Sequence, residues 1–95
     1  MERRYFVYIL TNYGDTVLYT GVTNDLFRRI QEHRAGVAED SFTKRYRLYK
    51  LIWTQEFTSS AEAIAAEKMI KGWKREKKLA LIRETNPGFR DLLSE

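Results

Sequence analysis

The first 22 residues restrict the possible folds more than any other stretch of the chain. Tyr5 to Thr11 is rich in β-branched and aromatic residues, Asn12-Tyr13-Gly14-Asp15 is a turn signal, and Thr16 to Val22 resumes the strand pattern. Two such runs around a tight turn read as a β-hairpin. Thr23, Asn24 and Asp25 then offer caps for a helix from about Asp25 to Ala35, with Gly36 as its terminator. Residues 37–46 read as a polar loop, basic at its end. Tyr49, Leu51 and Trp53 alternate with Lys50, Ile52 and Thr54, which predicts a third strand covered partly on both faces. Ser59-Ser60-Ala61-Glu62 fits a capping box, with Ser59 as N-cap, opening a helix that runs to about Lys74. A last helical stretch spans roughly Glu76 to Arg83, and Asn86-Pro87-Gly88 stops it. The order β-β-α-β-α-α implies an α+β fold of the α/β class, a small three-stranded mixed or antiparallel sheet flanked by helices.

Ninety-five residues suit one domain, spanning 1–95, with one core. An apolar share of 43% is enough for a compact interior, and with no cysteine there is neither a disulfide nor a thiolate metal site. No apolar run approaches the roughly 18 residues of a membrane span. Met1-Glu2-Arg3-Arg4 runs directly into a strand pattern, which argues against a cleaved leader and for a cytoplasmic protein. Lys and Arg number 17 against 13 acidic residues, a net charge of +4. The resulting pI near 9.5 is one footprint of nucleic-acid binding. The distribution sharpens it. Lys71, Lys74, Arg75, Lys77 and Lys78 form one basic group, and Lys44, Arg45 and Arg47 a second. The alternative is two solvated faces, their charge offset in part by Glu67, Glu76 and Glu84.

On the first helix, at 100° per residue, Leu26, Phe27 and Ile30 span one buried arc. Arg29 and His33, at i and i+4, stack beside that stripe, whereas Arg28 and Glu32 turn toward solvent. Arg29 and His33 would therefore look toward the sheet edge where the hairpin ends; the competing reading is an ion-paired arginine and a packing histidine. On the second helix, Ala63, Ala66, Ile70 and Trp73 define the apolar face, with Met69 at its border. Glu67 falls near that face. A carboxylate there is unfavourable without a cation or metal. Either it forms an i,i+4 pair with Lys71, or it binds a divalent ion that keeps most of its waters.

Tyr8, Tyr19, Arg29 and His33 stand at successive spacings of 11, 10 and 4, followed by the misplaced Glu67. With Phe6-Val7-Tyr8 and Tyr19-Thr20-Gly21, this ordered set resembles the GIY-YIG nuclease superfamily, in particular its short stand-alone, single-domain bacterial branch. The likeness extends over essentially the whole chain, including Ser41-Phe42-Thr43-Lys44-Arg45-Tyr46 and Asn86-Pro87-Gly88-Phe89-Arg90-Asp91-Leu92. The family's arginine falls on Arg29, its following histidine on His33, its metal-binding glutamate on Glu67 and its late asparagine on Asn86. The chain departs from the pattern where Phe6 and Val7 replace Gly and Ile of the first motif. Val22 and Thr23 stand where some members carry a lysine, and the second histidine of homing-type members is missing.

The resemblance implies hydrolysis of nucleic-acid phosphodiester bonds, of DNA ahead of RNA, with one Mg²⁺ or Mn²⁺ held by Glu67. Arg29 would face the non-bridging oxygens, and one tyrosine would orient or deprotonate the water, Tyr8 being the preferred base and Tyr19 the positioning group. A free phenol of pKa ~10 is only about one part in a thousand ionised at pH 7, so a neighbour must assist it. His33 would contact phosphate or tune Tyr8, and Asn86 would orient the metal shell or the substrate backbone. Lys44, Arg45, Arg47, Lys71, Lys74, Arg75, Lys77 and Lys78 would track phosphates without reading sequence. That implies structure-directed or weakly specific cutting, leaving room for a protein partner to supply specificity. Two other readings stand beside it: a nucleic-acid-binding or recruiting module with little activity, and an unrelated interaction protein with an incidental basic surface.

Overall fold

The computed structural model describes residues 3–35 and 45–93; Gly36, Lys44 and most of the 37–46 loop lie outside them. The elements run β1 (Tyr5–Thr11), β2 (Leu18–Thr23), α1 (Leu26–Ala35), β3 (Lys50–Phe57), α2 (Ser60–Lys71) and α3 (Arg75–Thr85). They form a three-stranded antiparallel sheet in the order β2-β1-β3 with helices on both faces.

The hairpin turn closes through local chemistry. The Asp15 amide donates to the Asn12 carbonyl at 3.0 Å, and Asn12 Oδ1 accepts from the Thr16 and Val17 amides at 2.8 and 3.1 Å. An Asn side chain standing in for backbone in this way is a common turn device. Asp15 takes the positive φ of 56°. On β1, Val7 to Thr11 are buried without a break, as a central strand covered on both faces requires.

Alternation along β1 sends its residues to two different layers. Tyr8 and Leu10 pack with Leu51 against α1, whereas Val7 and Ile9 pack against Ala63 and Ile70 of α2 and Ile82 of α3. Each fully buried aliphatic side chain here contributes roughly 1.5–3 kcal/mol. β3 does not alternate strictly as expected. Ile9 pairs with Trp53 but Leu10 with Leu51, so Ile52 is an extra residue, and Ile52 and Trp53 pack on the same side. This is a β-bulge.

Two helix faces also differ from expectation. The sheet-facing stripe of α1 is Leu26, Ile30 and His33, at i, i+4 and i+7, and Phe27, one step off it, is 65% exposed. On α2 the buried stripe is Ala63, Glu67 and Ile70, leaving Met69 55% exposed. Ser59 caps α2 by accepting from the Glu62 amide. The helix ends at Lys71, short of Lys74, because Gly72 closes it with bonds to the carbonyls of Lys68 and Met69. At the other end of the fold, Asp91 pairs with Arg34 of α1 and accepts from the Leu51 amide at 3.3 Å. The Leu92 amide donates to the Leu51 carbonyl at 2.8 Å, so the final turn is pinned to α1 and β3.

Candidate active site

Pairing of β1 with β2 sets Tyr8 directly across from Gly21. Opposed residues share a face, and the phenol of Tyr8 lies over the Gly21 backbone. A Cβ on Gly21 would fall 2.5 Å from Tyr8 Cζ and its hydroxyl, so only glycine leaves the ring its place. Tyr19, two residues before Gly21 on the same face, brings its ring centroid within 6.4 Å of Tyr8. His33 descends from α1 onto both rings, 6.1 Å from Tyr8 and 5.7 Å from Tyr19. Its Nε2 is 3.2 Å from the Tyr8 hydroxyl. Tyr8 and His33 are 2% and 3% exposed, while Tyr19, on the edge strand, is half-buried.

Arg29 lies one turn before His33. Its Nε stands 3.8 Å from Glu32 Oε1, and Arg28 Nε the same distance from the other oxygen. Glu32, expected to face away, is thus a half-buried carboxylate between two arginines. Its lateral position, only one step round the helix from His33, brings it back toward the protein. Arg28, Arg29 and Glu32 line a cavity of about 140 Å³ with Thr23, Asn24 and Asp25.

Glu67 sits on the opposite face of the sheet, on the α2 stripe between Ala63 and Ile70. It is 9% exposed. Oε1 lies 3.4 Å from Lys71 Nζ, but Oε2 is buried with no hydrogen-bond partner. The Thr20 hydroxyl is in the same condition. Thr20 pairs with Ile9 and shares the side of β2 on which Leu18 and Val22 pack against the α2 layer. Thr20 is not among the site residues expected from sequence; strand alternation from Tyr19 is the signal that places it under α2. Because β2 is an edge strand, Tyr19 and Thr20 carry the two faces to one common border.

Asn86 stands elsewhere. Its amide nitrogen donates to the carbonyls of Ile52 and Arg90 at 3.0 and 2.8 Å, and its oxygen accepts from the Arg90 amide at 3.0 Å. The amide group thus ties the turn after α3 to β3 at the far edge of the sheet. Among the basic residues, Arg45, Arg47 and Lys74 are exposed, and Arg45 lies over the Tyr46 ring at 5.6 Å. Arg75 donates to the Asp15 carbonyl at 3.1 Å, and Lys77 lies 4.3 Å above the Trp73 ring. Lys78 is half-buried. Lys44 lies outside the described residues.

Among the described residues no three His, Cys, Asp or Glu side chains gather to enclose a metal ion. A divalent ion with several waters and a substrate phosphate needs only one or two protein oxygens, and the unpartnered Glu67 Oε2 fits that requirement. No helix of the described residues is long and apolar enough to cross a membrane.

Residues 4–80 match the GIY-YIG catalytic domain. A UPF0213 protein of Streptococcus sanguinis is 36% identical over 84 residues, covering 88% of this chain and 94% of its own. A UPF0213 protein of Staphylococcus aureus is 36% identical over 80 residues, covering 84% and 95%. The solution structure of a UPF0213 protein from Bacillus halodurans superimposes with a TM-score of 0.57 at 28% identity, over 95% of this chain and 94% of that one.

Proposed function

Since the chain belongs to the GIY-YIG nuclease family and to its UPF0213 branch, we propose that it hydrolyses nucleic-acid phosphodiester bonds as a divalent-ion-dependent endonuclease. DNA is the preferred substrate, cut in a structure-directed or weakly sequence-specific manner. The observation carrying this reading is the buried, unpartnered Glu67 oxygen of α2 on one face of the sheet, with Tyr8, Tyr19 and His33 gathered on the other face beside the edge strand β2. A buried orphan carboxylate oxygen demands an explanation, and a bound cation supplies one.

Hydrolysis adds water across the P–O3′ bond, so one water proton leaves as the oxygen attacks phosphorus and the departing O3′ is protonated. Mg²⁺ or Mn²⁺ on Glu67 would supply charge neutralisation at the phosphoryl and leaving oxygens. Arg29 faces the non-bridging oxygens, which its forked guanidinium suits. Exposure favours the half-buried Tyr19 over the buried Tyr8 as the group that meets the attacking water. A neutral phenol accepts a proton only while giving up its own, and His33 is the acceptor against its ring. Tyr8 holds that imidazole through Nε2 and acts as a positioning residue. Asn86 positions the last turn.

Labelled single-stranded, duplex and flap DNA, incubated with Mg²⁺ or Mn²⁺, test the reading beside the Glu67→Gln variant. Metal-dependent cutting by the parent and none by the variant supports it. Intact substrate in every arm, with binding retained, favours a recruiting module instead. The Lys71 ammonium 3.4 Å from Glu67 favours that second reading, because it already offers the carboxylate a cation. In either case affinity falls steeply with salt. Lys74→Ala lowers the log–log salt slope by up to about one unit while weakening all sequences alike.

A further inference from the structure

We infer that the open end of the hairpin holds a subsite for one unpaired nucleobase beside the scissile phosphate. The inference rests on the nuclease reading above and adds a substrate feature to it.

A second hollow, about 230 Å³, lies between the hairpin and the start of α2, lined by Tyr5, Val22, Thr23, Asn24, Ser60 and Ile64. Its walls are mainly apolar. Ile64, at 43% exposure, leaves an aliphatic surface open to water where a helix would ordinarily be polar. Tyr5 is half-buried and adds an aromatic wall. A flat, largely apolar guest with a polar rim suits such a slot, and a nucleobase has that character.

Two adjoining features identify the guest. Thr23 and Asn24 also line the polar cavity of Arg28 and Arg29, so the slot and an arginine-bearing hollow share one wall. An apolar slot joined to paired guanidinium groups matches a base joined to its phosphate. Spacing agrees. On α2, Ser60, Ile64 and Glu67 follow at i, i+4 and i+7, so Glu67 lies just under one helical turn, a rise of about 4.5 Å, beyond Ile64. That rise is on the scale of one nucleotide step. A base in the slot would therefore set its neighbouring phosphate between Arg29 and Glu67. A paired base keeps its stacking neighbours and its partner, so it cannot enter; the subsite selects single-stranded or frayed positions.

The test uses the full chain carrying Glu67→Gln, without divalent ions, and fluorescein-labelled single-stranded DNA in which one abasic residue is walked along the strand. The strand is fixed in register by a duplex handle at one end. Anisotropy should show one position where the abasic residue weakens binding about tenfold, the factor that ~1.4 kcal/mol of lost stacking produces. Adding Ile64→Asn, a neutral change at an exposed helix position, should remove that position dependence while affinity for a fully abasic tract stays unchanged. Equal binding at every abasic position overturns the subsite and leaves the nuclease reading intact. Position dependence that survives Ile64→Asn also overturns it. Failure to bind any DNA at low salt removes the nuclease reading, and the subsite with it.

Discussion

The two faces of β2 differ in how complete they are. On the α1 face, Tyr8 and His33 satisfy each other, and Tyr19 packs against both rings. Folding alone assembles that cluster, held by strand register and the absence of a side chain at Gly21. On the α2 face, Glu67 Oε2 and the Thr20 hydroxyl are buried and unpartnered. Burying such groups is unfavourable by roughly 1–3 kcal/mol each. One face is therefore organised in advance, whereas the other gives up stability that a ligand can return.

The largest effect that could break this contrast belongs to Glu67. Glu67→Gln should reduce cleavage about 10³-fold or more, since a bound ion supplies several kcal/mol of transition-state stabilisation. The same change removes a buried charge with one orphan oxygen, so stability should hold or rise by about 1 kcal/mol. Cleavage assays and thermal unfolding on one preparation check both halves. A Tm that falls by several degrees would mean that Glu67 supports the fold, and the contrast would fail.

Gly21→Ala sharpens the opposite side. Its new methyl meets Tyr8 at 2.5 Å, so the ring must move, with a loss of about 1–3 kcal/mol and disruption of the Tyr8–His33 contact. In a domain of this size that lowers Tm by about 4–8 °C per kcal/mol. Tyr8→Phe should be milder. It keeps the ring but removes the hydroxyl that meets His33 Nε2, which costs about 0.5–1.5 kcal/mol. Histidine ring NMR shifts in the two variants report whether the cluster is displaced or only loses its bond.

Local chemistry made much of this legible in the sequence. Asn12, Asp25 and Ser59 act on backbone within a few residues of themselves, so turn and caps follow from short-range patterns. Spacing likewise placed Arg29 beside His33 and Glu67 on the stripe of Ala63 and Ile70. Three features depended on tertiary packing. The bulge at Ile52 arises only when β3 pairs with β1. Phe27 and Met69 lie one step from their stripes, and only the docked angle of each helix decides which side of the border they take. Above all, the faces carrying Glu67 and the tyrosines depend on which side of the sheet each helix crosses. No spacing along the chain encodes that, and the same holds for the distance of Asn86 from β2.

The smallest expected effect compares a partnered hydroxyl with an orphaned one on the same face of the hairpin. Thr11 and Thr20 are both buried, and both belong to the hairpin. Thr11 donates its hydroxyl to the Val17 carbonyl at 2.7 Å, whereas the Thr20 hydroxyl has no partner. Valine keeps the β-branched shape and its χ1 preference, so replacement in each case exchanges a hydroxyl for a methyl. Thr11→Val should lose about 1 kcal/mol, because a bond disappears and a carbonyl is left short. Thr20→Val should gain about 0.5–1 kcal/mol, since an orphan hydroxyl gives way to an apolar group opposite Ile9, on the side of β2 that carries Leu18 and Val22. Urea unfolding of both variants, at an unchanged m-value, reads the difference directly. Opposite signs would show that the Thr20 hydroxyl, unlike that of Thr11 on the same side of the sheet, is unspent polar capacity. Equal losses would mean that the Thr20 hydroxyl is satisfied within the folded chain, and Glu67 would then stand as the only buried orphan among the described residues.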